Sequence, residues 1–379
     1  MTKKRPIGIG IVGWGFMGRT HAYAALNIPL FYEGLPFRPV LRAVCSGHRE
    51  NAKMAQEELG FARACDSFEE LLALPGVDVV SICTPNALHE QMALQAFAAG
   101  KAVYLDKPVS VDGPSAARVA AAGAGRMAQV AFHNRFFPCA LRAKQLVEEG
   151  RLGKLLNFRI QYLHSGSVDE ERPVNWKSDR QICGGGVLPD LGSHALDMLV
   201  HLAGPVESLC CRNQTLYASR PRKGGGRIER LGEDASYLLL RLQNGAQGLV
   251  EVSKVATGAS DGFTVELCGD KGALRFNLMD PNWLYFYDNT RPGGLYGGER
   301  GWQRLETIQD YPAPGGAFLP PKNAIGWARA HMHCYYSFLD CYFRGARPSP
   351  SLEEGAYVQR LLDLCYLSER KGGFVAAEE

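Results

Sequence analysis

The sequence lacks three features that would assign it to particular classes of protein. No apolar stretch approaches the roughly 20 residues needed to cross a bilayer, which argues against a membrane protein. Charge of one sign does not dominate, because 42 basic and 39 acidic residues leave a net charge of +3. Neither nucleic acid nor a membrane surface is therefore an expected partner. The 11 cysteines form no Cys-x-x-Cys pair and are spread over 379 residues, which favours a reduced, cytoplasmic protein.

The composition is that of an ordinary globular protein. Hydrophobic residues make up 46% of the chain and charged residues 21%, close to the averages for soluble domains. A chain of this length predicts two domains. Residues 1–6 are basic, but the apolar run that follows is short and interrupted by glycines, which is typical of a strand rather than of a secretion signal.

The pattern of predicted elements changes near residue 135. Before it, strand-like and helix-like segments alternate, which predicts a Rossmann-type, doubly wound parallel sheet over residues 1–134. After it, short strands joined by tight turns predict a large, mostly antiparallel open sheet with helices over residues 135–379, an α+β domain. Residues 29–39 and 311–321 are expected to be loops, and neither has an assignable role.

A glycine-rich loop follows the first strand. Gly13, Gly15 and Gly18 match Gly-x-Gly-x-x-Gly, with Phe16 and Met17 between the last two glycines. A register five residues earlier also fits, but only the later one follows a strand and opens a helix. The pattern allows a tight turn, a close approach of backbone to a pyrophosphate and close helix–strand packing. We therefore expect a dinucleotide-binding domain.

The end of the second strand should select the cofactor. An acidic residue there would bind a ribose 2′-hydroxyl, whereas a basic residue would accept a 2′-phosphate. The sequence offers Ser46 and Arg49 and no carboxylate before Glu50. Because Arg49 can form a charge-assisted bond to phosphate, we expect NADP or NAD, with NADP favoured.

Three further segments accompany the glycine loop in a fixed order. They are Thr84-Pro85-Asn86 with His89, Asp106-Lys107-Pro108, and the segment that contains Asp190 and His194. Together the four motifs resemble the Gfo/Idh/MocA family (glucose–fructose oxidoreductase, inositol dehydrogenase and MocA) of NAD(P)-dependent oxidoreductases. The resemblance covers essentially the whole chain. One departure is that Asp106 stands where the family usually has glutamate.

The resemblance implies a substrate, a cofactor site and an oligomer. It implies a dehydrogenase acting on the CH–OH group of a sugar, an inositol or a related polyol, with NAD-dependent glycoside hydrolysis or cofactor-binding regulation without turnover as alternatives. Lys107, Asp190 and His194 match the catalytic residues, and the second domain would form a homodimer or homotetramer through its sheet. The residues implied to bind the cofactor are Gly13, Gly15, Phe16, Met17, Gly18, Ser46, Arg49, Thr84, Pro85, Asn86, His89, Asp106 and Lys107.

The chemistry of such a reaction suits these side chains. A carbinol that loses a hydride must also lose its hydroxyl proton, and histidine titrates near neutral pH. We therefore assign proton transfer to His194 and electrostatic stabilisation of the alkoxide to Lys107, although the two roles could be exchanged. If residues 190–202 are helical, Asp190 shares a face with His194 and could hold its ring or bind a substrate hydroxyl.

Other residues are weaker candidates. His331 and His333 are two positions apart in an aromatic helix and do not share a face, so we expect no metal site. Aromatic faces and hydrogen-bonding side chains are typical of sugar sites. The residues expected to contact substrate on this ground are Arg135, Tyr162, His164 and Trp176.

Overall fold

A computed structural model describes residues 4–229 and 231–377 of the chain. Its strands are β1 Arg5–Val12, β2 Phe37–Cys45, β3 Arg63–Cys65, β4 Val79–Ile82, β5 Ala102–Leu105, β6 Ala128–Val130, β7 Leu155–Leu163, β8 Val206–Gln214, β9 Arg220–Pro221, β10 Arg227–Ile228, β11 Ala235–Leu242, β12 Gln247–Ser253, β13 Gly262–Gly269, β14 Gly272–Asn277, β15 Trp283–Asp288, β16 Trp302–Glu306 and β17 Val375–Ala376. Its α-helices are α1 Phe16–Phe31, α2 Arg49–Leu59, α3 Phe68–Ala73, α4 His89–Ala98, α5 Gly113–Ala122, α6 Pro138–Glu148, α7 Arg180–Cys183, α8 Ser193–Ala203, α9 Trp327–Arg344 and α10 Leu352–Lys371.

The chain forms two compact units. The first unit consists of the described residues up to Phe136 together with Tyr311–Pro320 and Gly326–Gln359. The second consists of Phe137–Asp310, Pro321–Ile325 and the described residues from Arg360 onwards. This differs from the sequence-based division at residue 134, which assigned everything from 135 to 379 to one domain.

The first unit contains a six-stranded parallel sheet with the order β3-β2-β1-β4-β5-β6. This is the order of a Rossmann fold, so the predicted doubly wound sheet is confirmed. Val12 is paired with Ile82, and Ile82 with Leu105. The residues that follow these three strands therefore lie next to one another at the carboxyl edge of the sheet.

Helix α9 explains why late residues belong to the first unit. Its aromatic side chains are buried against those of the Rossmann core: Tyr335 packs on Tyr104 with ring centroids 4.5 Å apart, and Tyr336 stacks on Tyr32 at 3.9 Å. Removing this apolar area from water stabilises the return of the chain to the first unit. A division made along the sequence could not detect a contact such as that of Tyr104 with Tyr335, which are 231 residues apart.

The second unit contains a nine-stranded sheet with the order β16-β15-β14-β13-β7-β12-β11-β8-β17. Only β7 and β12 pair in parallel, and the other neighbours are antiparallel. Burial alternates along β11, so one face of the sheet is covered and the other is open. The predicted open, mostly antiparallel sheet is confirmed.

One local prediction was wrong. Helix α1 continues through Pro29 to Phe31, and β2 begins at Phe37, so most of the expected loop at 29–39 is regular structure. Pro29 lies inside the helix, where it cannot donate a backbone hydrogen bond, and the helix ends two residues later. No helix among the described residues combines the length and apolarity needed to cross a membrane.

Candidate active site

The glycine loop has the local geometry that an anion-binding turn requires. Gly13 has φ +93°, and a Cβ there would lie 2.5 Å from the Cys83 carbonyl oxygen. A Cβ on Gly18 would overlap the Gly13 carbonyl, whereas one on Gly15 would point into open space. Gly13 therefore makes the turn, Gly18 allows the helix to pack on it, and Gly15 leaves its outer side open.

The start of α1 is free to receive a negative group. Its N-cap residue, Gly15, provides no side-chain cap, and its first turn carries no acidic residue. Backbone N–H groups at a helix start favour an anion. Phe16 is 70% exposed and its ring lies 5.4 Å from that of Trp327, while Met17 is half-buried.

The end of β2 differs from the expectation based on Arg49. Its guanidinium Nε lies 2.6 Å from the Asp66 carboxylate, so it is engaged by a residue that follows β3. Ser46 accepts a hydrogen bond from the backbone N–H of His48 at 3.3 Å. The 2′-phosphate that Arg49 was expected to bind would compete with this ion pair.

Thr84, Asn86 and His89 form a buried segment after β4. The His89 ring is fully buried, with Nδ1 2.9 Å from the Pro108 carbonyl and Nε2 2.9 Å from the Thr84 carbonyl. Burial lowers the pKa of His89, and the charge of Asp106 and the carbonyl contacts oppose that effect. The ring thus joins the loop after β4, which includes Pro85, to the Lys107–Pro108 loop. This favours a structural role for His89 over a direct cofactor contact.

Asp106 and Lys107 follow β5 at the same sheet edge as the glycine loop. The Asp106 carboxylate accepts a hydrogen bond from the Lys107 backbone N–H at 2.9 Å, and the Asp106 N–H donates to Ile82. The shorter aspartate therefore caps its own turn. Both side chains are half-buried, which leaves Lys107 in a position between the core and solvent.

The second unit holds Asp190 and His194 at the junction of two helical turns. Asp190 lies in a π-helical turn, Leu188–Gly192, and His194 lies in the first turn of α8. The Asp190 carboxylate is 3.1 Å from the Lys254 ammonium and 3.4 Å from that of Lys177. π-helical turns are common at functional sites because they change the direction of side chains.

His194 is buried beside an aromatic wall. It is 4% exposed, and its ring meets that of Tyr162 edge to face at 6.0 Å. Tyr162 stacks on Phe263 and also contacts His164, whose Nε2 lies 2.6 Å from Asp261. Of the expected substrate contacts, Tyr162 therefore lies against His194, and His164 lies against Tyr162.

Of the other two expected substrate contacts, Trp176 precedes the lysine that reaches Asp190, whereas Arg135 has a structural partner. Trp176 is half-buried and precedes Lys177, whose ammonium is 6.0 Å from the indole. Arg135 belongs to the first unit, is 4% exposed and forms an ion pair with Glu354 at 2.6 Å. This ion pair accounts for the buried guanidinium of Arg135 without a substrate contact.

Comparison with known families agrees with this arrangement. Residues 7–132 match the model of an oxidoreductase family with an NAD-binding Rossmann fold, and residues 140–275 match the Gfo/Idh/MocA C-terminal domain. The chain belongs to the Gfo/Idh/MocA family. The family suggested by the four sequence motifs is confirmed.

Individual members of the Gfo/Idh/MocA family resemble the chain along its whole length. A levoglucosan dehydrogenase from Pseudarthrobacter phenanthrenivorans is 28% identical, over 97% of this chain and 97% of that protein. A solved structure of levoglucosan dehydrogenase with NADH and levoglucosan has a TM-score of 0.92 and 28% identity, covering 98% of this chain and 99% of that one. An oxidoreductase domain protein from Kribbella flavida has a TM-score of 0.93 and 30% identity, covering 99% and 100%.

Several site residues were missed by sequence reasoning. Lys177 and Lys254 reach Asp190 from distant segments. The buried carboxylate of Glu233 accepts hydrogen bonds from the backbone N–H groups of Gly186 and Leu188, which hold the turn before Asp190. The three consecutive glycines at 184–186 were the one available signal in the sequence, because a Cβ on Gly186 would overlap the Glu233 backbone.

No metal centre accompanies these groups in the described parts of the chain, residues 4–229 and 231–377. No three histidine, cysteine or acidic side chains there are grouped to hold a metal ion. His331 stacks on His133 at 3.5 Å, and His333 bonds to the Tyr32 hydroxyl. The histidines of α9 therefore pack within the aromatic core.

Proposed function

We propose that this protein is a dehydrogenase that moves a hydride between a nicotinamide dinucleotide and the CH–OH carbon of a sugar or related polyol. The observation that carries the proposal is the set of polar groups around His194. A buried imidazole lies beside an aromatic wall, in the same turn region as a carboxylate held by two lysines. That set can hold a hydroxylated ring and move a proton.

The first unit fits the dinucleotide. The open side of Gly15 and the uncapped start of α1 would hold the pyrophosphate. Thr84, Asn86, Asp106 and Lys107 follow neighbouring strands at the same edge. When bound, the nicotinamide supplies the hydride acceptor or donor.

The residues of the chain supply the proton chemistry. His194 takes the hydroxyl proton during oxidation and returns it during reduction. Lys107 stabilises the developing alkoxide with its positive charge. Asp190 accepts a hydrogen bond from a substrate hydroxyl, and Lys254 and Lys177 orient that carboxylate. Tyr162 offers an apolar face to a sugar ring.

The substrate class follows from these groups and from the relatives. Levoglucosan is a compact sugar with several hydroxyl groups, and the related dehydrogenase is named for it. We therefore propose a neutral monosaccharide, anhydrosugar or inositol as substrate. The cofactor preference for NADP that Arg49 suggested remains a prediction, and the ion pair with Asp66 opposes it.

A substrate panel tests the proposal. Purified protein is mixed with NAD⁺ or NADP⁺ and with levoglucosan, monosaccharides, inositols and simple glycosides. The nicotinamide absorbance is followed, and the sugar products are analysed. The expected result is reduction with at least one of them. Cleavage of a glycoside without net reduction would indicate the glycosidase alternative. Dinucleotide binding with neither reaction across the panel would indicate a regulatory protein.

We also propose that the open face of the nine-stranded sheet joins copies of this chain. Tyr237, Leu239 and Leu249 are each 41–52% exposed on the sheet, beside a groove of about 610 Å³. A contiguous apolar patch of this kind is typical of an interface. Light scattering should give an oligomer for the wild type and a lower mass for Leu249→Asp. Leu26→Asp, an equally exposed leucine on α1, serves as the control. A monomeric wild type would contradict this proposal.

A further inference from the structure

The carboxyl edge of the Rossmann sheet carries an acidic residue that the second strand lacks. β2 ends at Cys45 and β3 ends at Cys65, and these two residues are paired in register. Ser46 and Asp66 therefore follow neighbouring strands side by side. In dinucleotide-binding folds the adenosine ribose is recognised at the end of β2. In this chain, the carboxylate beside the end of β2 belongs to Asp66, which follows β3.

Asp66 already holds the basic residue that could bind a phosphate. Arg49 begins α2, and its Nε lies 2.6 Å from Asp66 Oδ1. More than half of each side chain is exposed, so both groups are accessible to a ligand. A 2′-phosphate would have to break this ion pair and then lie next to the released carboxylate.

The surrounding charge adds to this effect. Burial raises the pKa of the Cys45 thiol, and the charges of Glu69, Glu70 and Asp66 raise it further. The end of β2 thus lies near three carboxylates. Glu70 is paired with Arg63 at 2.8 Å, so Asp66 is the carboxylate of this group that holds Arg49.

We infer that Asp66 selects NAD over NADP, acting from the end of β3 in place of an acidic residue at the end of β2. A ribose 2′-hydroxyl can donate a hydrogen bond to the carboxylate without disturbing Arg49. A 2′-phosphate carries about −1.5 to −2 charges and is repelled. The inference rests on the proposed function, because it assumes that a dinucleotide binds at this edge.

Dinucleotide affinity in the absence of substrate tests the inference. The dissociation constants of NADH and NADPH are measured by fluorescence titration of the full-length protein and of Asp66→Asn. We expect the wild type to bind NADH more tightly. Asp66→Asn should improve NADPH binding about tenfold, the effect of one charge-assisted contact, and should weaken NADH binding. When Arg49→Ala is added to Asp66→Asn, the gain in NADPH affinity should disappear.

Glu69→Gln is the matched control. Glu69 is exposed, lies in the same acidic group and bonds to Gln95 rather than to Arg49. It should change the ratio of the two dissociation constants much less than Asp66→Asn does, because Glu69 does not pair with Arg49. A wild type that prefers NADPH, an unchanged ratio in Asp66→Asn, or an equal shift in Glu69→Gln would overturn the inference alone. Failure to bind either dinucleotide would overturn the proposed function as well.

Discussion

The glycine loop of the first unit and the Asp190 turn of the second unit are built in different ways. The loop depends on the backbone of consecutive residues: a positive φ at Gly13, open space at Gly15 and close packing at Gly18. The Asp190 turn depends on side chains from separate segments, because Lys177 and Lys254 reach one carboxylate. A site made of backbone is encoded locally, whereas a site made of side chains is assembled by the fold.

This difference predicts which substitutions act on chemistry and which act on binding or folding. The largest effect should come from His194, the proposed proton carrier. His194→Asn should lower kcat by at least ~100-fold, the usual contribution of a general acid–base group, while NADH affinity stays near the wild-type value. His201→Asn, on the same helix, is the control. Equal turnover in both variants would remove His194 from the mechanism.

The glycine loop allows binding to be separated from stability. Gly15→Ala places a methyl group in the open space proposed for the pyrophosphate and should raise the dissociation constant of NADH about tenfold or more without lowering Tm. Gly18→Ala forces a Cβ against the Gly13 carbonyl and should lower Tm, because overpacking costs about 1–3 kcal/mol. Calorimetry and thermal melting measure the two effects. A lower Tm in Gly15→Ala, with an unchanged affinity for NADH, would contradict these roles of the two glycines.

A smaller effect is expected from Lys254, which positions Asp190. Lys254→Met should lower kcat about tenfold by releasing the carboxylate, and Lys254→Arg should restore part of the loss because it keeps the charge. Lys271→Met, an exposed lysine of the same unit, should behave like the wild type. Steady-state kinetics with the best substrate of the panel decide the matter. If Lys254→Arg is as impaired as Lys254→Met, the positive charge of residue 254 is not what positions Asp190.

Features encoded by local patterns could be predicted from the sequence, whereas features that depend on contacts between distant segments could not. The parallel sheet, the open sheet and the order of the four motifs could be read from local patterns, and the fold and family were confirmed. The return of α9 to the first unit could not, because it depends on Tyr335 packing against Tyr104. The NADP prediction considered Ser46 and Arg49 but not Asp66, because Asp66 is 17 positions from Arg49 and is brought close by the pairing of β2 with β3.

The central claim is that the protein transfers hydride directly between a substrate carbon and the cofactor. The most direct test uses the best sugar or polyol of the panel, deuterated at the carbon that is oxidised, together with the preferred oxidised dinucleotide. Mass spectrometry of the reduced dinucleotide should show that it has gained one deuterium, and that His194→Asn forms far less of it. A reduced dinucleotide without deuterium, or none with any substrate, would contradict the account.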